Sequence, residues 1–377
     1  MHQILLFCLL AIQFLYIAII RIDPLVRDKI FIPLMVSSLA FFFAPIQGGL
    51  SDYYCRKKSL LFALLIVLIA SIFFVFWFVW HKQVYLFIYI FMLGIAGNVA
   101  PIALSAFKDI TRKFTNFRFF ICLALFYYFI GDFGHLVSKY FASSKTILET
   151  GFFFIIGCII LVFLIFKDAK DRELPEQRPS IIEQIKYIYH NFLENKVFMI
   201  GLIGFLFLEV SLYQFSFRTE VFDGFLSRVA PLQMILGAML GLAFLKFSKM
   251  KDENIFIFAL IGSFICYLVL FLANFFDFIT RPYSMGLLLF FGFNYSLLYS
   301  SLYCLFTRKR HHHDHGKIFG LLDSIDSISY VVAIIIVFVI RKVPMQTIWL
   351  ISLVLLGVGG LFFYRFLKYD KDIPHIK

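Results

Sequence analysis

The chain is short of charge. Only 15% of its 377 residues are Asp, Glu, Lys or Arg, while 62% are hydrophobic and 53 are Phe. A soluble globular domain carries about 25% charged and 45–50% apolar residues. The deficit is too large for one oversized core. Grouped cysteine is also lacking. Cys8, Cys55, Cys122, Cys158, Cys266 and Cys304 are scattered singly, mostly within apolar runs. That pattern is neither a disulfide framework nor a CxxC metal site, and the thiols read as free and buried. No G-x-x-x-x-G-K-S/T loop occurs, which argues against ATP-driven transport by this chain alone. No nucleophile–base constellation appears either, so an enzyme is not expected, and no cofactor or resident metal is called for. Met1 to Ile20 has no basic n-region and no small-residue cleavage site, and reads as a spanning helix rather than a signal peptide.

What is present is a series of apolar runs near twenty residues: about 3–20, 30–48, 59–80, 83–106, 118–140, 149–167, 197–217, 229–247, 254–275, 284–306, 318–340 and 346–364. Bilayer thickness demands that length of a spanning helix. Lipid leaves helices or closed barrels as the ways to satisfy backbone groups. The expectation is therefore an all-α membrane protein with twelve transmembrane helices in two six-helix bundles, residues 1–167 and 197–377. Residues 168–196 form a linker. There Ser180 and Glu183 make a capping box. Ile181, Ile182, Ile185, Ile188 and Phe192 then share one side of a helix that lies along the membrane surface.

The net charge of +12 could point to nucleic acid, but the cations sit in short loops between spans. With the N-terminus inside, most of them are cytoplasmic. Arg56, Lys57 and Lys58 follow span 2; Arg308, Lys309, Arg310 and Lys317 precede span 11. The positive-inside rule then puts both termini in the cytoplasm. The expected setting is the inner cell membrane, as a multi-pass monomer with the lipid bilayer as a partner and no nucleic acid.

Polar residues inside the spans are phased. Spans 3, 6, 9 and 12 are nearly pure hydrocarbon. Spans 1, 4, 7 and 10 carry Gln13 and Tyr16; Asn98 and Pro101; Glu209, Tyr213 and Gln214; Asn294, Tyr295 and Tyr299. Two halves with one pattern imply an internal repeat, with a substrate site where the halves meet. Those tyrosines, Asn and Gln are the candidate cavity lining. Interhelical hydrogen bonding would use the same residue types. Gly94, Gly97, Pro101, Pro231, Gly237 and Gly241 permit close helix contact and bending.

One loop is more specific. Gly48-x-Leu50-Ser51-Asp52-Tyr53-x-Cys55-Arg56-Lys57 resembles the signature loop of the major facilitator superfamily, G-x-L-A-D-R-x-G-R-K, at its place between spans 2 and 3. Tyr53 stands where Arg is usual, and Cys55 where Gly is usual. Gly94-x-x-Gly97-x-x-x-Pro101 and Asp109 are similar to that family's fourth helix. The intramembrane Arg common in proton-coupled members is missing, with Ile90 about at its place. The fifth helix lacks the Gly-Pro-rich stretch of drug–proton antiporters, which weighs against drug export. A faint similarity to proton-coupled oligopeptide transporters covers "PIALSAFKD", Glu209 and Gln214, without that group's first-helix signature. The resemblance implies that Asp52 reaches the start of span 11 near Gly316 and Lys317. There the partial positive charge of a helix N-terminus would stabilise it. Asp52, Arg56 and Lys57 are thereby gating candidates.

Ionisable groups at membrane depth are costly and so mark candidate sites. Glu209 lies about twelve residues into span 7, about 18 Å deep at 1.5 Å per residue. It is either a proton-coupling carboxylate or a structural one bonded to a neighbouring helix. Asp132 in span 5, with His135 nearby, is a second proton site, an outer-gate partner or a helix-end group in a polar outer mouth. Asp323 and Asp326 are three apart on span 11, so they share a face with Tyr330. They serve either an inner gate or cation site, or helix packing through Ser324 or Ser327. His311, His312, His313 and His315 crowd one cytoplasmic loop. Such a run binds zinc or senses pH in some proteins; a solvated positive loop is the plainer reading.

The expected function is secondary transport of a small polar or zwitterionic solute, coupled to protons, by rocker-switch alternating access. The alternatives are an uncoupled facilitator or exporter of the same fold, and a non-transporting membrane receptor.

Overall fold

The structure is a computed structural model, and it describes residues 31–96, 99–110, 117–124, 144–167, 183, 186, 195–218, 224–276, 281–308, 314–339 and 343–372. Among these, eleven helices can be bounded: α1 (Phe31–Tyr53), α2 (Arg56–Trp80), α3 (Gln83–Ala96), α4 (Val99–Ile110), α5 (Ser144–Ile165), α6 (Lys196–Arg218), α7 (Gly224–Phe247), α8 (Asp252–Phe275), α9 (Arg281–Thr307), α10 (His315–Val339) and α11 (Met345–Asp372). Residues 117–124 are helical as well. Eight stretches are long and apolar enough to cross a membrane, α3 and α4 together forming one of them. The apolar parts of α5 and α7 are shorter. The first expected span and most of the fifth lie outside the described residues.

Burial is inverted relative to a soluble protein. Phe153 is 70% exposed and Phe247 78%, while Glu209 and Asn294 are 0% exposed. Lipid tails cost apolar side chains nothing, whereas a polar group facing them would lose its hydrogen bonds. The sequence therefore folds with its polar minority inward.

The chain divides into two compact units. The first contains residues 1–112, 134–191 and 310–328; the second contains 113–133, 192–309 and 329–377. Both units include α10 residues, so the start of α10 packs with α1 and α2 although it is distant from them in sequence.

In the first unit, Phe74, Trp77, Leu86, Tyr89 and Ile90 form a buried cluster under α1 residues Met35, Val36 and Leu39. The α2–α3 turn is tight because His81 adopts a left-handed backbone (φ 52°) and donates its N–H to the Trp77 carbonyl.

In the second unit, small residues set the helix spacing. A methyl at Gly204 would meet the Gly359 carbonyl, and one at Gly359 would meet the Gly204 carbonyl. Gly237 lies in the same way against the backbone of Leu289 and Phe293, so α6 packs backbone-close on α11 and α7 on α9. Without a hydrophobic drive between helices in lipid, such close approach supplies the dispersion contacts that hold the bundle.

Candidate functional site

The sequence-marked loop folds into a buried charge cluster in the first unit. Asp52 is in the last turn of α1 and Arg56 opens α2, and each is 1% exposed. Asp52 Oδ1 accepts the Gly316 N–H at 2.9 Å, and Oδ2 accepts the Lys317 N–H at 2.8 Å. The carboxylate thus caps α10, whose first N–H groups have no intrahelical acceptor. Arg56 donates from Nη2 to Asp52 at 2.7 Å and from Nε to Asp109 of α4 at 2.9 Å. Its third nitrogen, Nη1, donates to Ser51 Oγ. One guanidinium fork therefore ties α1, α2 and α4 together, a geometry that the point charge of a lysine cannot reproduce. His315 Nδ1 stands 3.5 Å from Asp109 Oδ1.

The approach of α1 to α10 is backbone-close. A methyl on Gly48 would strike the Gly316 carbonyl oxygen, and one on Gly320 would strike Ala44 and Pro45. The glycine that begins the loop motif is required for this contact.

Tyr53, which replaces the usual Arg, has a structural use. Lys317 Nζ sits 4.9 Å from its ring centroid and pairs with Asp314 at 2.9 Å. An aromatic face here receives a cation from α10. Lys57 reaches another helix. It turns to α5, donating to the Phe163 carbonyl at 2.7 Å.

In the second unit, Glu209 lies near the middle of α6, fully buried. It is one turn after Phe205 and one turn before Tyr213, and so shares their face. The Phe205 ring packs on Tyr299 and Tyr303 at 6.5 and 6.3 Å. Tyr213 meets Tyr330 of α10 edge-on at 5.2 Å. Along α9, Phe291, Tyr295, Tyr299 and Tyr303 stack in a row with centroids 6.1, 5.8 and 4.5 Å apart. The last two hydroxyls are 2.7 Å apart.

Other marked residues go elsewhere. Gln214 donates to the Ala333 carbonyl on α10 at 3.0 Å. Asn294 faces Gly262 of α8 and donates to its own helix at Phe290. Asp323 is buried and Asp326 half-buried on α10, where Ser324 donates to the Phe41 carbonyl at 2.6 Å. Gln13, Tyr16, Asn98 and Asp132 lie outside the described residues.

A second ion cluster was not marked from sequence. Arg118 Nη1 pairs with Asp252 at 2.9 Å and donates to the Met250 carbonyl at 3.0 Å; Arg308 pairs with Glu253 at 2.9 Å. Asp252 and Glu253 occupy the first turn of α8, where the helix dipole favours acids. The placing of acids after apolar runs in the sequence held a signal for it. Asp252 follows span 8 as Asp52 follows span 2.

Comparison with known proteins gives one family. The model of the Major Facilitator Superfamily matches residues 7–334. No relative among curated protein sequences matches the chain. Among solved structures, the fold is similar to the human organic anion transporter MFSD10 (TETRAN), with TM-score 0.76, 12% identity and 97% of each chain covered. It is also similar to the transporter FucP in its outward conformation, with TM-score 0.74, 12% identity, and 97% of this chain and 98% of that one covered. A variant of FucP, the E. coli fucose:proton symporter, aligns with TM-score 0.71 and 13% identity over 97% of both.

Proposed function

The chain belongs to the major facilitator superfamily, and from that premise we propose that it is a proton-coupled symporter of a small polar or zwitterionic solute. Membership makes it a multi-pass membrane transporter rather than an enzyme. The finer reading places it in the inner cell membrane as a monomer, working by rocker-switch alternating access.

The observation that carries the reading is Glu209. It is a fully buried acid on a helix face shared with Tyr213 and with Phe205, whose ring packs on the α9 tyrosine row. A carboxyl there alternates between a charged and a neutral form only by exchanging a proton. The tyrosine row offers aromatic faces and hydroxyls to a solute. The fucose:proton symporter shares the fold and gives precedent for the coupling.

The test begins with a thermal-shift screen of sugars, amino acids, dipeptides, nucleosides and organic acids, since a ligand stabilises the state it binds. Each stabilising solute is then added outside proteoliposomes holding a pH indicator. Acidification of the lumen on solute addition is the expected result. Solute entry with no proton movement would assign the protein to the uncoupled facilitators.

In this reading the Asp52 cluster is the inner latch, closed when Asp52 caps α10. Tyr53→Leu removes the ring beneath Lys317. A cation–π contact contributes about 0.5–2 kcal/mol, so inward opening should rise roughly two- to thirtyfold. Tyr53→Phe keeps the ring and should change little. The half-buried Cys55 is a native reporter, because its alkylation from the inner side follows opening. Equal alkylation rates in the Leu and Phe variants would remove Tyr53 from the latch.

A further inference from the structure

We propose that His315 and Asp109 form a proton-binding site inside the latch, and that a cytoplasmic proton taken up there releases Asp52 from α10. The proposal rests on the latch reading. The site is separate from Glu209, which lies in the other unit.

The charges around His315 balance only while its ring is neutral. From α1 come Asp52 and the Tyr53 phenol, and from α2 comes Arg56. From α4 come Lys108 and Asp109, and from α10 itself Asp314 and Lys317. Three cations thus face three carboxylates. Asp52, Arg56, Lys108, Asp109, His315 and Lys317 are all buried, so water does little to screen an imbalance. Lys309, Arg310 and His311 to His313 precede His315 in the sequence and lie outside the described residues.

A proton on His315 leaves one uncompensated positive charge in this cluster. The charge sits in the first turn of α10, beside the Gly316 and Lys317 N–H groups, at the helix end that repels cations. It also attracts Asp109, the second partner of Arg56, and so competes for the carboxylate that steadies the guanidinium against Asp52. Once the latch opens, water solvates the imidazolium. The open state is then the one that binds the proton better, and by reciprocity the proton favours opening. In the opened latch water reaches the ring, and a solvated histidine titrates around pH 6.5, so the response falls within a cytoplasmic range.

The latch amides report directly. Hydrogen exchange of the peptide containing Gly316 and Lys317 is measured in the purified full-length protein at pH 7.5 and 6.0, corrected for intrinsic exchange. One proton taken up on opening changes the equilibrium by at most about tenfold per pH unit. With the opened site titrating near 6.5, protection should therefore fall roughly three- to fourfold at pH 6.0. It should stay constant in His315→Gln and be low at both values in Asp52→Asn. In Lys108→Met, where a protonated His315 restores the balance of three cations and three carboxylates, the loss of protection at pH 6.0 should shrink. A pH response that persists in His315→Gln, or a flat response in the native protein, overturns the proposal. If the response follows His315 but Asp52→Asn leaves Cys55 alkylation and transport unchanged, the proton site stands and the latch reading fails.

Discussion

Glu209→Gln should abolish proton-driven accumulation while leaving counterflow exchange. Gln has the shape of a protonated Glu and cannot lose the proton. The variant is therefore held in the neutral form, which reorients with solute bound. A proton moving through 100 mV carries about 2.3 kcal/mol, which at one proton per solute sustains roughly a fiftyfold gradient. The expected change is from such a gradient to none, measured as labelled solute retained in energised proteoliposomes. Exchange of labelled for unlabelled solute at equal concentrations should continue. Full accumulation by the variant would remove Glu209 from coupling. Loss of exchange as well would make it a structural carboxylate or a solute ligand.

Arg56→Gln should open the latch. Arg56 is the shared partner of Asp52 and Asp109, at 2.7 and 2.9 Å, and all three are buried. Without it, two carboxylates remain in a small water-poor space. Removing one partner of a buried pair costs about 3–5 kcal/mol, equivalent to a shift of roughly a hundred- to several-thousandfold in the closed–open equilibrium. The two acids can relieve it only by separating or binding a proton. Cys55 alkylation should rise by a large factor, and uptake should slow because the outward-facing state is depleted. A variant as well closed as the native protein would mean that the helix cap on α10 suffices alone. Arg56→Lys should recover only part of closure, since one ammonium cannot meet Asp52, Asp109 and Ser51 in the observed geometry.

The loop "GGLSDYYCRKKS" shows how far a sequence carries. Its resemblance to a family motif placed Asp52 at the start of the eleventh span, and the carboxylate does accept the Gly316 and Lys317 N–H groups. It also made Lys57 a gating candidate, and the Lys57 ammonium donates to the Phe163 carbonyl on α5. The departures at Tyr53 and Cys55 left the strength of the contact open, and Lys317 over the Tyr53 ring supplies a different interaction at the first of them. His315 was one member of a histidine run. In the structure it stands near a long-range partner, Asp109, 206 positions away in the numbering.

The sequence by itself determined the class of the molecule: a helical membrane protein with polar residues held inward and a recognisable loop. Those properties follow from run length and composition, which bilayer thickness and backbone hydrogen bonding read along the chain. Only the tertiary structure decided which polar residues meet. Tyr295 and Tyr299 join one stacked row, while Asn294, next to them, faces Gly262. Gln214 bonds to Ala333 and Arg118 pairs with Asp252. Neighbouring residues on a helix point about 100° apart, so a small rotation of the helix changes every partner. Helix rotation is set by packing against other helices, through close contacts such as Gly48 on Gly316 and Gly204 on Gly359.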